Sequence, residues 1–191
     1  MWKYDHIDET RQRLLLKGII DLGGEVDEAM AMYVRDALMI LATNDNPDIK
    51  VIIISDGGDV RVGLAIYDML KSYHGKIIGI ISGFCRSFAM VVLQACGERL
   101  SLPHSRMNIH DILVDIEKLK SEVILDPVQL NQYCESLVHN VRQDQQAIDE
   151  IYSLRSGQPL EVIRQLSGKN RNLTAQEALE FGLIDKIVEQ F

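Results

Sequence analysis

The stretch KVIIISDGGD, residues 50–59, decides the fold class of this chain. Its first residues form a nearly continuous run of Ile and Val, which is typical of a β-strand covered on both faces. The pair Gly57-Gly58 then predicts a tight turn, and a helix that carries Leu64 and Leu70 on one face follows. A strand that passes into a helix through a short turn predicts an α/β layered fold.

Similar units lie on both sides of this stretch. Gly18–Leu22 predicts a strand closed by two glycines, and Asp27 can cap the helix that follows it. Ile77–Ile81 predicts another buried strand, and the nearly all-apolar segment Phe88–Cys96 predicts a helix inside the core. Two further predicted strands are Glu98–Leu102 and Arg106–His110. Functional groups in such folds gather where strands pass into helices.

The last third of the chain is predicted to be helical. Asp126-Pro127 is a strong helix start, and the helical pattern continues to about Arg155. A helix of this length spans on the order of 43 Å, more than a small core needs. It either projects and packs on a partner subunit or folds back on its own core. Shorter helices are predicted at Leu160–Leu166 and at Thr174–Phe181.

Composition excludes several classes of function. The 191 residues are 47% hydrophobic and 25% charged, which is ordinary for a globular domain, and the net charge is −8. That charge disfavours binding to nucleic acid or to an anionic membrane surface. The first residues of the chain lack the apolar segment of a secretory signal, so we expect a cytoplasmic protein. The three cysteines form no CxxC pair, so we expect reduced thiols, with neither a metal nor a cofactor.

Three positions suggest chemistry. Ser87 precedes the apolar helix, where free backbone N–H groups favour negative charge, so it is either a nucleophile or an ordinary helix cap. His110 ends a predicted strand, and a nucleophilic serine needs such a base within reach. Gly57-Gly58 can hold an oxyanion, hold a phosphate or simply make the turn. The residues alone leave these alternatives open.

Seven stretches, in this order and spacing, resemble the ClpP family, the proteolytic subunit of ATP-dependent Clp protease. They occur between Leu15 and Val188, close to the full length. The stretches are LGGEV (22–26), SDGG (55–58), GLAIYD (63–68), LPHSR (102–106), IH (109–110), LTAQEA (173–178) and GLID (182–185).

The resemblance implies a spiral of ββα units, a core shared with crotonases, and a projecting helical handle. It implies one domain, with a head of residues 1–110 and 160–191 and a handle of about 111–159. It also implies self-association into seven-membered rings stacked in pairs, an AAA+ unfoldase partner and unfolded polypeptide substrates. The implied activity is that of a serine endopeptidase acting through an acyl-enzyme.

The resemblance also assigns the site. Ser87 matches the nucleophile and His110 the general base, while Gly57 and Phe88 match the backbone N–H donors to the oxyanion. Asn170 stands where the family has the third triad residue, an Asp. An Asn can orient the imidazole of His110 but supplies no negative charge, so we expect slow hydrolysis.

Other departures mark a divergent member. Arg86 and Phe88 flank Ser87 where the family has small residues, and residues 111–115 replace a glycine-rich strand. Only 17 residues precede Gly18, fewer than the family's axial-gate segment. These departures motivate an alternative, a non-catalytic ring subunit that assembles with an active paralogue. A second alternative is a crotonase-type enzyme acting on acyl-CoA thioesters.

Overall fold

The strands of this chain pair mostly in parallel, as expected when helices connect them. The computed structural model describes residues 8–114 and 126–191. The strands are β1 (Ile19–Val26), β2 (Ile49–Gly58), β3 (Ile77–Arg86), β4 (Glu98–Ser101), β5 (Arg106–Ile109), β6 (Arg171–Thr174) and β7 (Lys186–Ile187). The helices are α1 (Glu9–Leu15), α2 (Glu28–Ala42), α3 (Val60–Lys71), α4 (Phe88–Leu93), α5 (Pro127–Ser156), α6 (Leu160–Ser167) and α7 (Ala175–Phe181).

Strand β3 pairs with three other strands, β2, β4 and β5, and is the branch point of the sheet. The order is β1-β2-β3-β4-β7, and β5 pairs both with β3 and with β6. Residues 78–81 of β3 lie beside β4, whereas Phe84–Arg86 lie beside Arg106–Asn108 of β5. Among the strands that the structure describes, only the β5–β6 pair is antiparallel. The end of β3, just before Ser87, therefore lies between β2 and β5 rather than at an edge of the sheet.

Three strands run longer than their sequence predicts. Predicted turns at Gly23-Gly24 and Gly57-Gly58 are wrong, because β1 continues to Val26 and β2 to Gly58. Gly23, Gly57 and Gly58 remain in the ladder, in which Gly23 pairs with Ile54, Gly57 with Glu25 and Gly58 with Val26. The pairing register between β1 and β2 shifts between Gly23 and Glu25, as it does at a β-bulge. Likewise, β3 extends beyond Ile81 to Arg86.

One face of β2 is buried and the other is half-buried. Ile49, Val51 and Ile53 are at most 2% exposed, and they pack in the main core. Ile52 and Ile54 point the other way and are only partly covered. The sequence predicts that β2 is covered on both faces. One face is indeed buried, whereas the other is only partly covered by the described residues.

Helix α5 agrees with its predicted bounds. Asp126 accepts hydrogen bonds from the N–H groups of Val128 (2.9 Å) and Gln129 (3.0 Å), and Gly157 ends the helix at a φ of 73°. The 30 residues make a rod of about 45 Å. The only buried residues of this helix lie in its last third: Ile148, Asp149 and Tyr152. Its first half is therefore not covered by the described part of this chain.

The C-terminal segment is fastened to the sheet by a buried arginine. Arg99 is 4% exposed and donates to both carboxylate oxygens of Asp185, at 3.0 Å and 2.5 Å, and to Gln94. Burial alone would raise the pKa of Asp185, but the hydrogen bonds from Arg99 outweigh burial and lower it below its ordinary value. The pair holds the residues before β7 against β4.

None of the described helices is both long and apolar enough to cross a lipid bilayer.

Candidate active site

Ser87 occupies a strained elbow between β3 and α4. Its backbone has a φ of 50° and a ψ of −128°, a conformation that non-glycine residues rarely adopt. Its N–H donates to the carbonyl of Asn108 on β5 at 2.8 Å, and all six residues of α4 are buried. Such strain persists only where the surroundings enforce it. The Ser87 side chain caps no helical N–H, which disagrees with an ordinary helix cap.

Gly57 lies directly against this elbow. It has a φ of 95°, and a Cβ atom added to it would lie 2.7 Å from Ser87 Cβ and 2.8 Å from Phe88 N. Contacts below 3.0 Å are essentially not tolerated by real Cβ atoms. The N–H of Gly57 donates to the hydroxyl of the buried Ser55 at 3.1 Å. Only a glycine can bring its backbone this close to Ser87.

Phe88 places its backbone N–H at the start of α4. As the first helical residue it has no acceptor within the helix, so its N–H points out of the helix end. Its ring is buried against Gly63 of α3, where any added Cβ would overlap the ring. Phe88 therefore anchors the elbow with its side chain, and its amide has no hydrogen-bond acceptor among the described residues.

His110 shares a cavity with Ser87. The cavity has a volume of about 250 Å³, and the other lining residues are mainly apolar: Gly58, Val60, Phe88, Val91, Ile112, Leu113, Ile148 and Tyr152. His110 Nδ1 lies 2.6 Å from the backbone oxygen of Asp111. A carbonyl oxygen only accepts, so Nδ1 carries the hydrogen and Nε2 of the neutral ring is the acceptor. Within the described residues, no hydrogen bond joins the Ser87 hydroxyl to the imidazole.

Asn170 does not make the hydrogen bond to His110 that its sequence position predicts. Its side-chain oxygen accepts a hydrogen bond from Asn108 Nδ2 at 3.1 Å, and its backbone is left-handed with a φ of 46°. The expected bond from His110 Nδ1 is absent because that nitrogen already donates to Asp111. Asn170 is thus brought close to the elbow through Asn108, not through the imidazole.

Asn108 and Ser55 are site residues that sequence reasoning missed. Asn108 is 7% exposed; it bonds Ser87 through its backbone and Asn170 through its side chain. Ser55 is 1% exposed and receives the Gly57 N–H. A polar residue inside an apolar strand, as in Met107-Asn108-Ile109, was the available signal.

Cys85 is not a competing nucleophile. It is fully buried in β3, and burial raises the pKa of its thiol well above the ordinary value. Cys96 is buried as well, and burial raises its pKa to about 12. Both thiols therefore stay protonated and inert.

Comparisons with known proteins agree with this architecture. The Clp protease family model matches residues 3–191. The ATP-dependent Clp protease proteolytic subunit 3 of Rhodococcus jostii is 35% identical over 187 residues, covering 96% of this chain and 87% of the relative. Subunit 2 of Thermobifida fusca is 32% identical over 184 residues, covering 95% and 85%. An Asn-to-Asp mutant of ClpP1 from Listeria monocytogenes has the same fold, with a TM-score of 0.78, 24% identity, and coverage of 95% of this chain and 96% of the other.

A match over nearly the whole chain, with relatives above 30% identity, leaves one conclusion. This chain belongs to the Clp protease family.

Proposed function

We propose that this chain is a serine endopeptidase of the Clp type, with Ser87 as nucleophile and His110 as general base. The observation that carries the proposal is the elbow. Ser87 is held at a φ of 50° with the Gly57 backbone against it, and it lines the same cavity as an imidazole of suitable tautomer. A strained serine at a strand-to-helix turn presents its hydroxyl for attack.

The proposed reaction is hydrolysis of a peptide bond through an acyl-enzyme. His110 Nε2 accepts the proton of Ser87 as Oγ attacks the scissile carbonyl, and the proton then passes to the leaving amine. The Phe88 N–H and the Gly57 N–H stabilise the oxyanion, each donor contributing about 3 kcal/mol. Gly57 must share its N–H with Ser55 or release that bond. Water hydrolyses the acyl-enzyme in a second, similar cycle.

The proposed assembly is a pair of stacked seven-membered rings. The head of residues 1–110 and 160–191 would form each ring, and the handle of about 111–159 would form the contact between rings. Exposed apolar side chains on the first half of α5 support that role: Val128, Leu130, Tyr133 and Val138. The proposed partner is an AAA+ unfoldase, since several relatives are named as subunits of an ATP-dependent protease. A cytoplasmic location remains a prediction.

A fluorophosphonate probe tests the proposed chemistry. We expect one adduct per chain between about pH 6 and 9, and peptide mapping should assign it to Ser87. The measurement is the intact mass before and after reaction, followed by fragmentation. No adduct at any pH in that range, or an adduct on a different residue, would contradict the proposal.

One observation favours a second candidate, a non-catalytic subunit that assembles with an active paralogue. Ser87 and His110 are not hydrogen-bonded, and Asn170 pairs with Asn108 instead of the imidazole. Catalytic hydrogen bonds are often long without substrate, which is why we favour the peptidase. Failure of Ser87 to react, together with mixed oligomers formed with an active Clp subunit, would support the second candidate.

Replacing Asn170 by Asp should accelerate hydrolysis about 10-fold. In one Ser-His-Asp enzyme the reverse change cost about 10⁴ in rate, chiefly through a wrong tautomer. Here the Asp111 carbonyl already sets the tautomer of His110, so only the gain from added negative charge remains. The measurement is kcat on a fluorogenic peptide.

The control for this variant is Asn172→Asp, which adds the same charge to an exposed position on β6. We expect this control to change kcat less than about twofold, because exposed charges are screened. Equal rates for the two variants would refute a role for position 170 in catalysis.

A further inference from the structure

We propose that Gln145 and Asp149 of α5 orient His110 through the peptide group that joins Asp111 to Ile112. This inference rests on the proposed peptidase function. It assigns to a hydrogen-bonded relay the task that the third triad residue would otherwise perform. Gln145 and Asp149 are positioning residues here, since neither lines the cavity that Ser87 and His110 share.

The first part of the relay is one peptide group that is bonded at both ends. Its carbonyl oxygen, on Asp111, accepts the His110 Nδ1–H at 2.6 Å. Its N–H, on Ile112, donates to Gln145 Oε1 at 2.8 Å. A planar amide that is fixed at both ends can neither rotate nor slide. Because β5 ends at Ile109, no strand pairing among the described residues holds this peptide, so its hydrogen bond to Gln145 anchors it.

The second part leads from Gln145 to a buried charge. Gln145 Nε2 donates to Asp149 Oδ1 at 2.8 Å, one helical turn away. Asp149 is 2% exposed, and its second oxygen accepts from Arg164 Nε at 3.2 Å. A buried carboxylate is stable when it is paired and hydrogen-bonded, as this one is.

All donors between the ring and the carboxylate point the same way. The imidazole N–H points to an amide oxygen, that amide's N–H points to a second amide oxygen, and the second amide's N–H points to Asp149. Aligned hydrogen bonds polarise one another in a low-dielectric interior. When His110 accepts the proton of Ser87, its growing positive charge therefore faces the negative end of the relay.

Helix α5 offers a matched pair for comparison. Gln146 Nε2 donates to Glu150 Oε1 at 2.9 Å, again a Gln bonded to a carboxylate four residues later, one position further along. Both residues are exposed, and among the described residues no hydrogen bond joins the pair to the segment after β5. Variants of this pair therefore measure the effect of breaking a Gln–carboxylate hydrogen bond on α5 that does not lead to His110.

The test uses the full chain, labelled with ¹⁵N-histidine, and the variants Gln145→Met, Asp149→Asn, Gln146→Met and Glu150→Gln. NMR of the ring nitrogens reports the tautomer, with His110 assigned from a His110→Gln sample. We expect the Nδ1–H form in the wild type, a mixture of tautomers in Gln145→Met, and no change in the Gln146 and Glu150 variants. The kcat on a peptide should fall about 10- to 100-fold in Gln145→Met, with KM within about twofold.

Asp149→Asn separates charge from orientation. It keeps the acceptor for Gln145, so we expect the wild-type tautomer, but kcat about 10-fold lower because the charge is gone. If Asp149→Asn does not fold because this position is buried, the Gln145→Met variant, at a half-buried position, provides the test by itself. An unchanged His110 tautomer in Gln145→Met overturns the relay. A changed His110 tautomer in Gln145→Met, together with no peptide hydrolysis by the wild-type chain, would support the relay and contradict the proposed peptidase function.

Discussion

Ser87→Ala is expected to reduce peptide hydrolysis by about 10⁴- to 10⁶-fold. Removing the nucleophile of a serine protease eliminates the covalent pathway, and only the oxyanion donors and substrate binding remain to accelerate attack by water. The fold should survive, because the Ser87 side chain makes no capping hydrogen bond. The measurement is kcat/KM on a fluorogenic peptide, together with the thermal midpoint of unfolding.

Ser82→Ala is the control for this change, because it alters a half-buried serine on β3, five residues before Ser87. We expect it to retain activity within about twofold, since it does not line the cavity. Comparable activity in Ser87→Ala and the wild type would mean that another group performs the hydrolysis.

Gly57→Ala should lower hydrolysis by about 100-fold or more. The new Cβ cannot remain 2.7 Å from Ser87 Cβ and 2.8 Å from Phe88 N, so the elbow must shift away from β2. A displacement of about 1 Å in a catalytic group can cost about 100-fold in rate. The left-handed φ adds backbone strain of about 1 kcal/mol. The measurements are kcat/KM and the free energy of unfolding.

Gly24→Ala isolates the effect of contact from that of strain. Gly24 has a φ of 96°, nearly that of Gly57, but a Cβ there would meet no atom within 4 Å. We expect a similar loss of stability from the backbone, about 1 kcal/mol, with activity unchanged within about twofold. If both alanine variants lose activity equally, the close approach of Gly57 to the elbow has no catalytic meaning.

Much of the fold follows from local pattern. The bounds of α5 could be predicted because its ends carry strong signals, Asp126-Pro127 at the start and Gly157 at the end. The capping box that begins α7, between Thr174 and Glu177, was equally visible. Such signals act within a few residues of the chain, so a single sequence contains them.

The strand ends could not be predicted, because long-range pairing decides them. Gly57 favours a turn locally, yet the parallel pairing with Glu25 keeps it in β2. Likewise β3 continues to Arg86 because β5 pairs with its last three residues. Pairing between segments far apart in sequence overrides local propensity.

The orientation of the side chains in the site could not be predicted from the sequence either. Ser87, His110 and Gly57 could be singled out, but the hydrogen bond from Asn108 to Asn170 was not expected. That bond depends on β5 and β6 pairing in antiparallel register, with Asn108 opposite Asn172. The contact between Gln145 and Ile112 also joins residues 33 positions apart, which no local pattern reveals.

The structure of a covalent adduct tests the central claim most directly, that a serine, an imidazole and two backbone amides act on one carbonyl. In a crystal of the protein after reaction with a fluorophosphonate, we predict phosphorus on Ser87 Oγ. One phosphonyl oxygen should lie about 2.7–3.1 Å from both Gly57 N and Phe88 N, and His110 Nε2 should face the ester oxygen. Phosphorus on another residue, or an oxygen directed away from both amides, would contradict the account.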